Sequence, residues 1–248
     1  MIDLSGKRAF VTGATGGLGQ AIARGLAQAG ARVALGYNSA AAAAEALAAD
    51  LPGEGHLPLR APVTDSPALT AAAGAIRDVF GGLDILVNCA GITRFVPHGD
   101  LDGLDDQIID DILAVNVRGV IAATRAMRPM LDETGKGVVV NISSIAARTA
   151  MGSNIAYAAS KAAVDNLTLS LARALAPRIR VLSVAPGLVD TEFVKALSQD
   201  WRDEQAARTP LGDLAQPEHV ADAVVAAAGL LTYSTGAVIA VDGGRPLG

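Results

Sequence analysis

A hydroxyl, a phenol and an amine fall within reach of one another in the run SSIAARTAMGSNIAYAASK, from Ser143 to Lys161. If a helix begins near Asn154, Tyr157 and Lys161 stand four residues apart and project from one helical face. An ammonium beside a phenol favours the phenolate, so such a tyrosine can give or take a proton nearer neutral pH than a free one. The chemistry is acid/base catalysis. Taken alone, a Tyr-x-x-x-Lys pair is equally well an ordinary amphipathic helix with an exposed lysine, so the rest of the chain has to decide.

The elements around that run alternate. Ala9 to Thr12 is a short apolar stretch that meets the glycine cluster Gly13, Gly16, Gly17 and Gly19, followed by AIARGLAQAG, which reads as a helix ending at Gly30. Strand, glycine turn and helix open a dinucleotide-binding unit: a Cβ would block approach of backbone to a pyrophosphate, and the helix N-terminus offers free N–H groups and a favourable dipole. Further strands are expected at Arg32–Leu35, Leu57–Ala61, Ile85–Asn88, Val138–Ile142, Val181–Ala185 and Ala237–Val241. Helices are expected at Ala40–Asp50, Ala68–Phe80, a long stretch Leu104–Leu131, the Tyr157 helix to about Ala176, and after Pro217. This predicts an α/β fold: one Rossmann-type domain spanning 1–248, with a doubly wound parallel sheet of about seven strands and helices on both faces. Ligands of such sheets sit at the carboxyl ends of the strands, and Gly13–Gly19, Asn88–Gly91, Ser143–Ser144 and Pro186–Thr191 each follow a strand. They should converge on one crevice.

Composition leaves small neutral or anionic ligands open. At 248 residues and 51% apolar content the chain can bury a real core. The net charge of −5 and the lack of a basic cluster argue against a nucleic-acid partner. The single cysteine, Cys89, excludes an intrachain disulfide and reads as a small buried side chain. His56, His98 and His219 show no metal-ligand spacing, so no metal is expected. No apolar leader precedes the first strand and no run reaches membrane-span length, so a cytoplasmic protein without a membrane partner is expected.

The motifs together resemble the classical short-chain dehydrogenase/reductase family. TGATGGLG at Thr12–Gly19 resembles the family's TGxxxGxG turn, NCAG at Asn88–Gly91 its NNAG, Pro186–Gly187 its post-strand turn and VDGG at Val241–Gly244 its C-terminal signature. Ser144 precedes Tyr157 by 13 residues and Asn116 precedes Ser144 by 28. The resemblance implies four catalytic residues, Asn116, Ser144, Tyr157 and Lys161. Tyr157 would be the general acid in ketone reduction, Ser144 would hold the substrate oxygen, and Lys161 would act on the phenol and bind the nicotinamide ribose. Asn116 would distort its helix so that a backbone carbonyl holds a water in a proton relay to Lys161; a helix-packing amide is the other reading. Ser143 would serve the loop's own backbone.

The same resemblance implies the cofactor contacts. They are Gly13, Thr15, Gly16, Gly17, Leu18 and Gly19 in the turn; Tyr37, Asn38 and Ser39 after the second strand; Val63; Asn88, Ala90 and Gly91; Pro186, Gly187, Val189 and Thr191; and Tyr157 with Lys161. Thr191 is also a plausible helix N-cap. The segment Gly36–Ser39 lacks the acid that would hold an NAD ribose and repel a 2′-phosphate. Gly16 stands where many NADP-preferring relatives carry arginine. NADP(H) is favoured on this balance, with NAD(H) possible. Pro62, in place of Asp or Asn, weakens side-chain contact to adenine, and Cys89 replaces the second Asn of NNAG.

CAGITR and VAPGLVDTEF most resemble 3-oxoacyl-[acyl-carrier-protein] reductases, which implies reduction of a small or carrier-bound carbonyl substrate. An acyl carrier protein would be a further partner, met by Lys136, Arg173 and Arg178. Arg94–Asp111 and 189–208 should flank the substrate, the latter as a mobile lid carrying Trp201. The family habit is a homotetramer. The rival readings are a secondary-alcohol, sugar or polyol dehydrogenase and, from another class, a catalytically silent dinucleotide sensor.

Overall fold

The computed structural model describes residues 2–195 and 198–247. Seven strands form one parallel sheet: β1 Arg8–Val11, β2 Arg32–Tyr37, β3 Leu57–Arg60, β4 Ile85–Asn88, β5 Gly137–Ile142, β6 Ile179–Pro186 and β7 Val238–Val241. Their order is β3-β2-β1-β4-β5-β6-β7. The chain winds outward from β1 to β3, then returns to the middle at β4 and winds the other way. That reversal between β1 and β4 opens the crevice in which doubly wound sheets bind ligands.

Helices α1 Gly17–Gln28, α2 Ala41–Asp50, α3 Ser66–Phe80, α4 Asp106–Leu113, α5 Gly119–Thr134, α6 Ala146–Thr149, α7 Ile155–Leu175, α8 Glu192–Lys195, α9 Gln199–Ala207 and α10 Pro217–Gly229 fill the connections. Successive strand side chains point to opposite faces, and both faces are covered. Ala9, Val11, Ile85, Val87, Val138 and Val140 pack with Ile22 and Leu26 of α1 and Val220 and Val224 of α10. Their neighbours Phe10, Leu86, Val139 and Val181 pack with Ile76 of α3 and Met127 and Leu131 of α5. This is why the inner strands read as unbroken apolar runs rather than alternating ones.

Two features depart from a plain reading of the helices. The stretch expected as one long helix is interrupted at Ala114–Arg118 by a π turn, where the Gly119 N–H closes on Ala114 O five residues back. In the segment expected as a lid, α8 and α9 are short helices joined through Ala196 and Leu197, which lie outside the described residues. Helix α9 is tied down: Arg202 Nη2 donates to both Asp190 carboxylate oxygens at 2.9 and 3.0 Å, and Arg245 Nη1 donates to Gln205 O at 2.7 Å.

Candidate active site

The carboxyl ends of β1, β2, β4, β5 and β6 surround a cavity of about 820 Å³. The glycine turn forms one wall, and local sterics explain two of its glycines. Gly13 sits at φ +65°, and a Cβ there would lie 2.8 Å from Ala90 Cα. A Cβ on Gly19 would lie 2.8 Å from Ala14 Cα and inside contact distance of Gly13 O. These two are glycine because the turn folds back on itself, whereas Gly16 and Gly17 have room for a Cβ and line the cavity. No side chain caps α1, so its first N–H groups remain available to an anion. The cradle fits a dinucleotide pyrophosphate.

Helix α7 carries Tyr157 and Lys161 into the same cavity. Its start is set by Asn154, whose Oδ1 accepts from the Tyr157 N–H at 2.7 Å, an N-cap that fixes where the first turn begins. Lys161 is buried and donates from Nζ to Ile142 O at 2.8 Å. Its ammonium lies 5.6 Å from the centre of the Tyr157 ring. No carboxylate pairs with it among the described residues, so its charge acts on the cavity. Ser144 lines the cavity, and its Oγ accepts from the Ala146 N–H at 3.1 Å, which leaves the hydroxyl proton free to donate. Ser143 instead donates to Lys161 O at 3.3 Å and is buried.

Asn116 sits in the π turn, 1% exposed, and does not line the cavity. Its amide is wholly spent on protein partners: Oδ1 accepts from Ile92 N at 2.8 Å, and Nδ2 donates to Ile92 O at 3.0 Å and Ser160 Oγ at 3.1 Å. It is nonetheless close to the centre, because a Cβ on Gly91 would lie 3.5 Å from Asn116 Oδ1 and 3.7 Å from Lys161 Nζ.

Of the residues expected to touch a cofactor, all but Asn88 and Ser39 line the cavity. Asn88 faces inward, with Nδ2 donating to Asn141 Oδ1 at 2.9 Å and Thr124 Oγ1 at 3.1 Å, so it knits β4 to β5 and α5 beneath the crevice. Ser39 lies beyond the rim. Tyr37 and Asn38 line the cavity just past β2, without any arginine or lysine in the lining there. Pro62 and Cys89 line the cavity as well. Burial raises the Cys89 thiol to about 11, against the pull of the nearby Lys161 charge, so it is a neutral surface and no nucleophile at ordinary pH. Asn154 and Ser160 are not among the functional positions expected from the sequence. An Asn three residues before the tyrosine, at a helix start, was the available signal for the first.

Lys136 and Arg178 lie at the amino ends of β5 and β6, beside a separate groove at the opposite end of the sheet, and Arg173 is in the last turn of α7. Within one chain these cations do not flank the crevice. Among the described residues no group of His, Cys, Asp and Glu is arranged to hold a metal ion, and no helix is long and apolar enough to cross a membrane.

Residues 13–245 match the family described as enoyl-(acyl carrier protein) reductase. The chain is 40% identical over 241 residues to cis-4-hydroxycyclohexanecarboxylate dehydrogenase of Sinomonas cyclohexanicum, covering 95% of each chain. It is 36% identical over 245 residues to the 3-oxoacyl-[acyl-carrier-protein] reductase FabG of Vibrio cholerae, covering 98% of each. A solved gluconate 5-dehydrogenase from Burkholderia cenocepacia, in complex with NADP and tartrate, superposes with a TM-score of 0.90 at 30% identity, covering 99% of this chain and 97% of that one. With the sheet order and the matched motifs, this chain belongs to the classical short-chain dehydrogenases/reductases, NAD(P)-dependent oxidoreductases acting on CH–OH and C=O groups.

Proposed function

We propose that the protein uses NADP(H) to reduce a carbonyl to a secondary alcohol, with a 3-oxoacyl thioester as the substrate class. The observation that carries this reading is that Ser144, Tyr157 and Lys161 open onto the cavity that the glycine turn also lines. The dinucleotide supplies the hydride from its nicotinamide ring when bound. Tyr157 gives its phenolic proton to the substrate oxygen as negative charge develops there. Ser144 donates a second hydrogen bond to that oxygen, using the proton that the Ala146 bond leaves free. Lys161 stabilises the phenolate left behind and has further N–H protons for a ribose hydroxyl. Asn116 holds the floor beside Lys161 through its clamp on Ile92, and the widened turn around it supports a backbone carbonyl as the seat of a relay water. In the oxidative direction the same groups run in reverse.

The cofactor preference rests on what is missing at Gly36–Ser39. No carboxylate there repels a 2′-phosphate, and Tyr37 and Asn38 line the adenosine end and can hydrogen-bond one. No cation neutralises it, so the preference for NADP(H) is modest. For the assembly, an exposed apolar strip formed by Leu113 and Ile121, with Val117 in the groove between them, supports a homo-oligomer through the α4–α5 face.

A second reading has its own support: the 40% relative is named for a ring alcohol, which favours oxidation of a cyclic secondary alcohol by the same residues. Initial rates separate the two. We expect NADPH to be oxidised faster than NADH with acetoacetyl thioesters, and acyclic ketones and polyols to turn over slowly. Faster NAD(P)+ reduction with hydroxycyclohexane carboxylates would favour the second reading, and no turnover with any carbonyl or alcohol despite cofactor binding would remove both.

A further inference from the structure

Tyr157 is held by its backbone from both sides, and each hold continues to the same loop. On the amino side, Asn154 Oδ1 accepts from the Tyr157 N–H at 2.7 Å, while Asn154 Nδ2 donates to Arg94 O at 2.6 Å and reaches Thr93 Oγ1 at 3.5 Å. On the carbonyl side, Ser160 Oγ donates to Tyr157 O at 2.7 Å and accepts from Asn116 Nδ2, whose amide grips both backbone polar groups of Ile92. The loop from Ile92 to Arg94 follows β4, and Ile92 and Thr93 line the cavity. Further along, Val96 N donates to Ser153 O at 2.9 Å, one residue before Asn154.

Asn154 and Ser160 are both fully buried, and both polar atoms of the Asn154 amide are hydrogen-bonded. An N-cap alone needs only the oxygen, which serine or aspartate supplies equally well. A carboxamide accepts and donates through two separate atoms, so Asn154 can hold the helix with its oxygen while its nitrogen reaches a carbonyl of another segment. The second bond, to the loop, goes beyond what capping the helix requires.

We propose that Asn154, with Ser160 as its counterpart, is a positioning residue that locks the substrate-side loop Ile92–Arg94 in register with Tyr157 and so sets how the substrate oxygen meets the phenol. This rests on the reading of Tyr157 as the proton donor. A misplacement of about 1 Å at a reacting centre can cost on the order of 100-fold in rate, and the tie acts on that dimension without touching the glycine turn or the adenosine end.

The test uses Asn154→Ser, which keeps a cap to the Tyr157 N–H but is too short to reach Arg94 O. It is compared with Asn154→Ala, which loses both bonds, and Ser160→Ala, which cuts the other hold. For Asn154→Ser we expect kcat to fall about 10- to 100-fold, with NADPH affinity within about twofold of the parent and little change in thermal stability. Ser160→Ala, a small volume change, should lower kcat in the same way and provides the answer should Asn154→Ser fail to fold. A kcat within about twofold of the parent in a folded Asn154→Ser or Ser160→Ala protein would overturn the proposal, as would a loss of kcat matched by loss of cofactor affinity. Tyr157→Phe, run alongside, keeps the two claims apart. If it stays active the acid assignment fails; if it is inactive while Asn154→Ser is unimpaired, only the positioning role fails.

Discussion

Replacing Tyr157 with Phe is expected to lower kcat by about 10²–10⁴-fold, the range a positioned general acid contributes, while NADPH affinity stays within about twofold. The separation follows from where the phenol sits. Its ring edge is packed by Gly152, where a Cβ would lie 3.2 Å from Tyr157 Cδ1, so a phenylalanine ring keeps the same place and only the hydroxyl is lost. Asn154 and Ser160 grip the backbone and are indifferent to the substitution. Steady-state rates with the best carbonyl substrate, together with NADPH fluorescence titration, check it. Retained turnover would contradict the assigned proton donor, and lost cofactor binding would mean that the variant reports on structure.

Gly19→Ala should do the opposite, removing binding before chemistry. The added methyl meets Gly13 O and Ala14 Cα, which are backbone atoms of the turn itself and cannot swing aside as a side chain would. Overpacking of this kind costs roughly 1–3 kcal/mol, and here the displaced atoms are the backbone of the turn proposed to cradle the phosphates. The expected result is a 10- to 100-fold rise in the NADPH dissociation constant, at roughly 1.4 kcal/mol per tenfold, with a lowered melting temperature that excess cofactor only partly restores. Gly16→Ala is the control: its Cβ has no protein atom nearer than Gly13 O at 3.5 Å, so the folded state should tolerate it. Equal cofactor affinity in the Gly19→Ala protein and the parent would show that the turn is not the phosphate site.

Much of the architecture is legible in the sequence, for a physical reason. A parallel sheet covered on both faces forces every inner strand to be apolar throughout, so runs such as ILVN and VVVNI stand out against the polar turns between them. The parallel connection then requires a helix between strands, and the segments that follow the strands, Gly13–Gly19, Asn88–Gly91, Ser143–Ser144 and Pro186–Thr191, are carried to one end of the sheet. Tyr157 and Lys161 are readable for a local reason as well, since helical periodicity alone puts them on one face.

What stayed hidden depends on contacts between segments far apart in the chain. Asn88 lies in a motif that resembles a cofactor-binding one, yet its side chain turns inward to Asn141 and Thr124, partners that only the sheet register and α5 bring alongside it. Asn116 is recognisable as a poor helix former, but the π turn and its paired hydrogen bonds to Ile92 arise from packing against α7 and the loop after β4. Asp190 and Arg202 are 12 residues apart in sequence with nothing to link them, and Arg202 Nη2, donating to both carboxylate oxygens, ties α9 to the segment after β6. Lys136 and Arg178 are assigned to a carrier protein by the resemblance alone, and the sheet carries them to the end opposite the crevice.

The proposed mechanism joins direct hydride transfer to proton delivery from Tyr157 in one crevice. It is tested most directly by turning over a keto substrate in ordinary water with NADPH deuterated at the transferable nicotinamide position. Mass analysis of the alcohol should find one deuterium, bound to the carbinol carbon, and a Tyr157→Phe protein should form that product at least about 100-fold more slowly. Deuterium that is absent from the product or lost to solvent, or an equal rate in the Phe variant, would contradict the account.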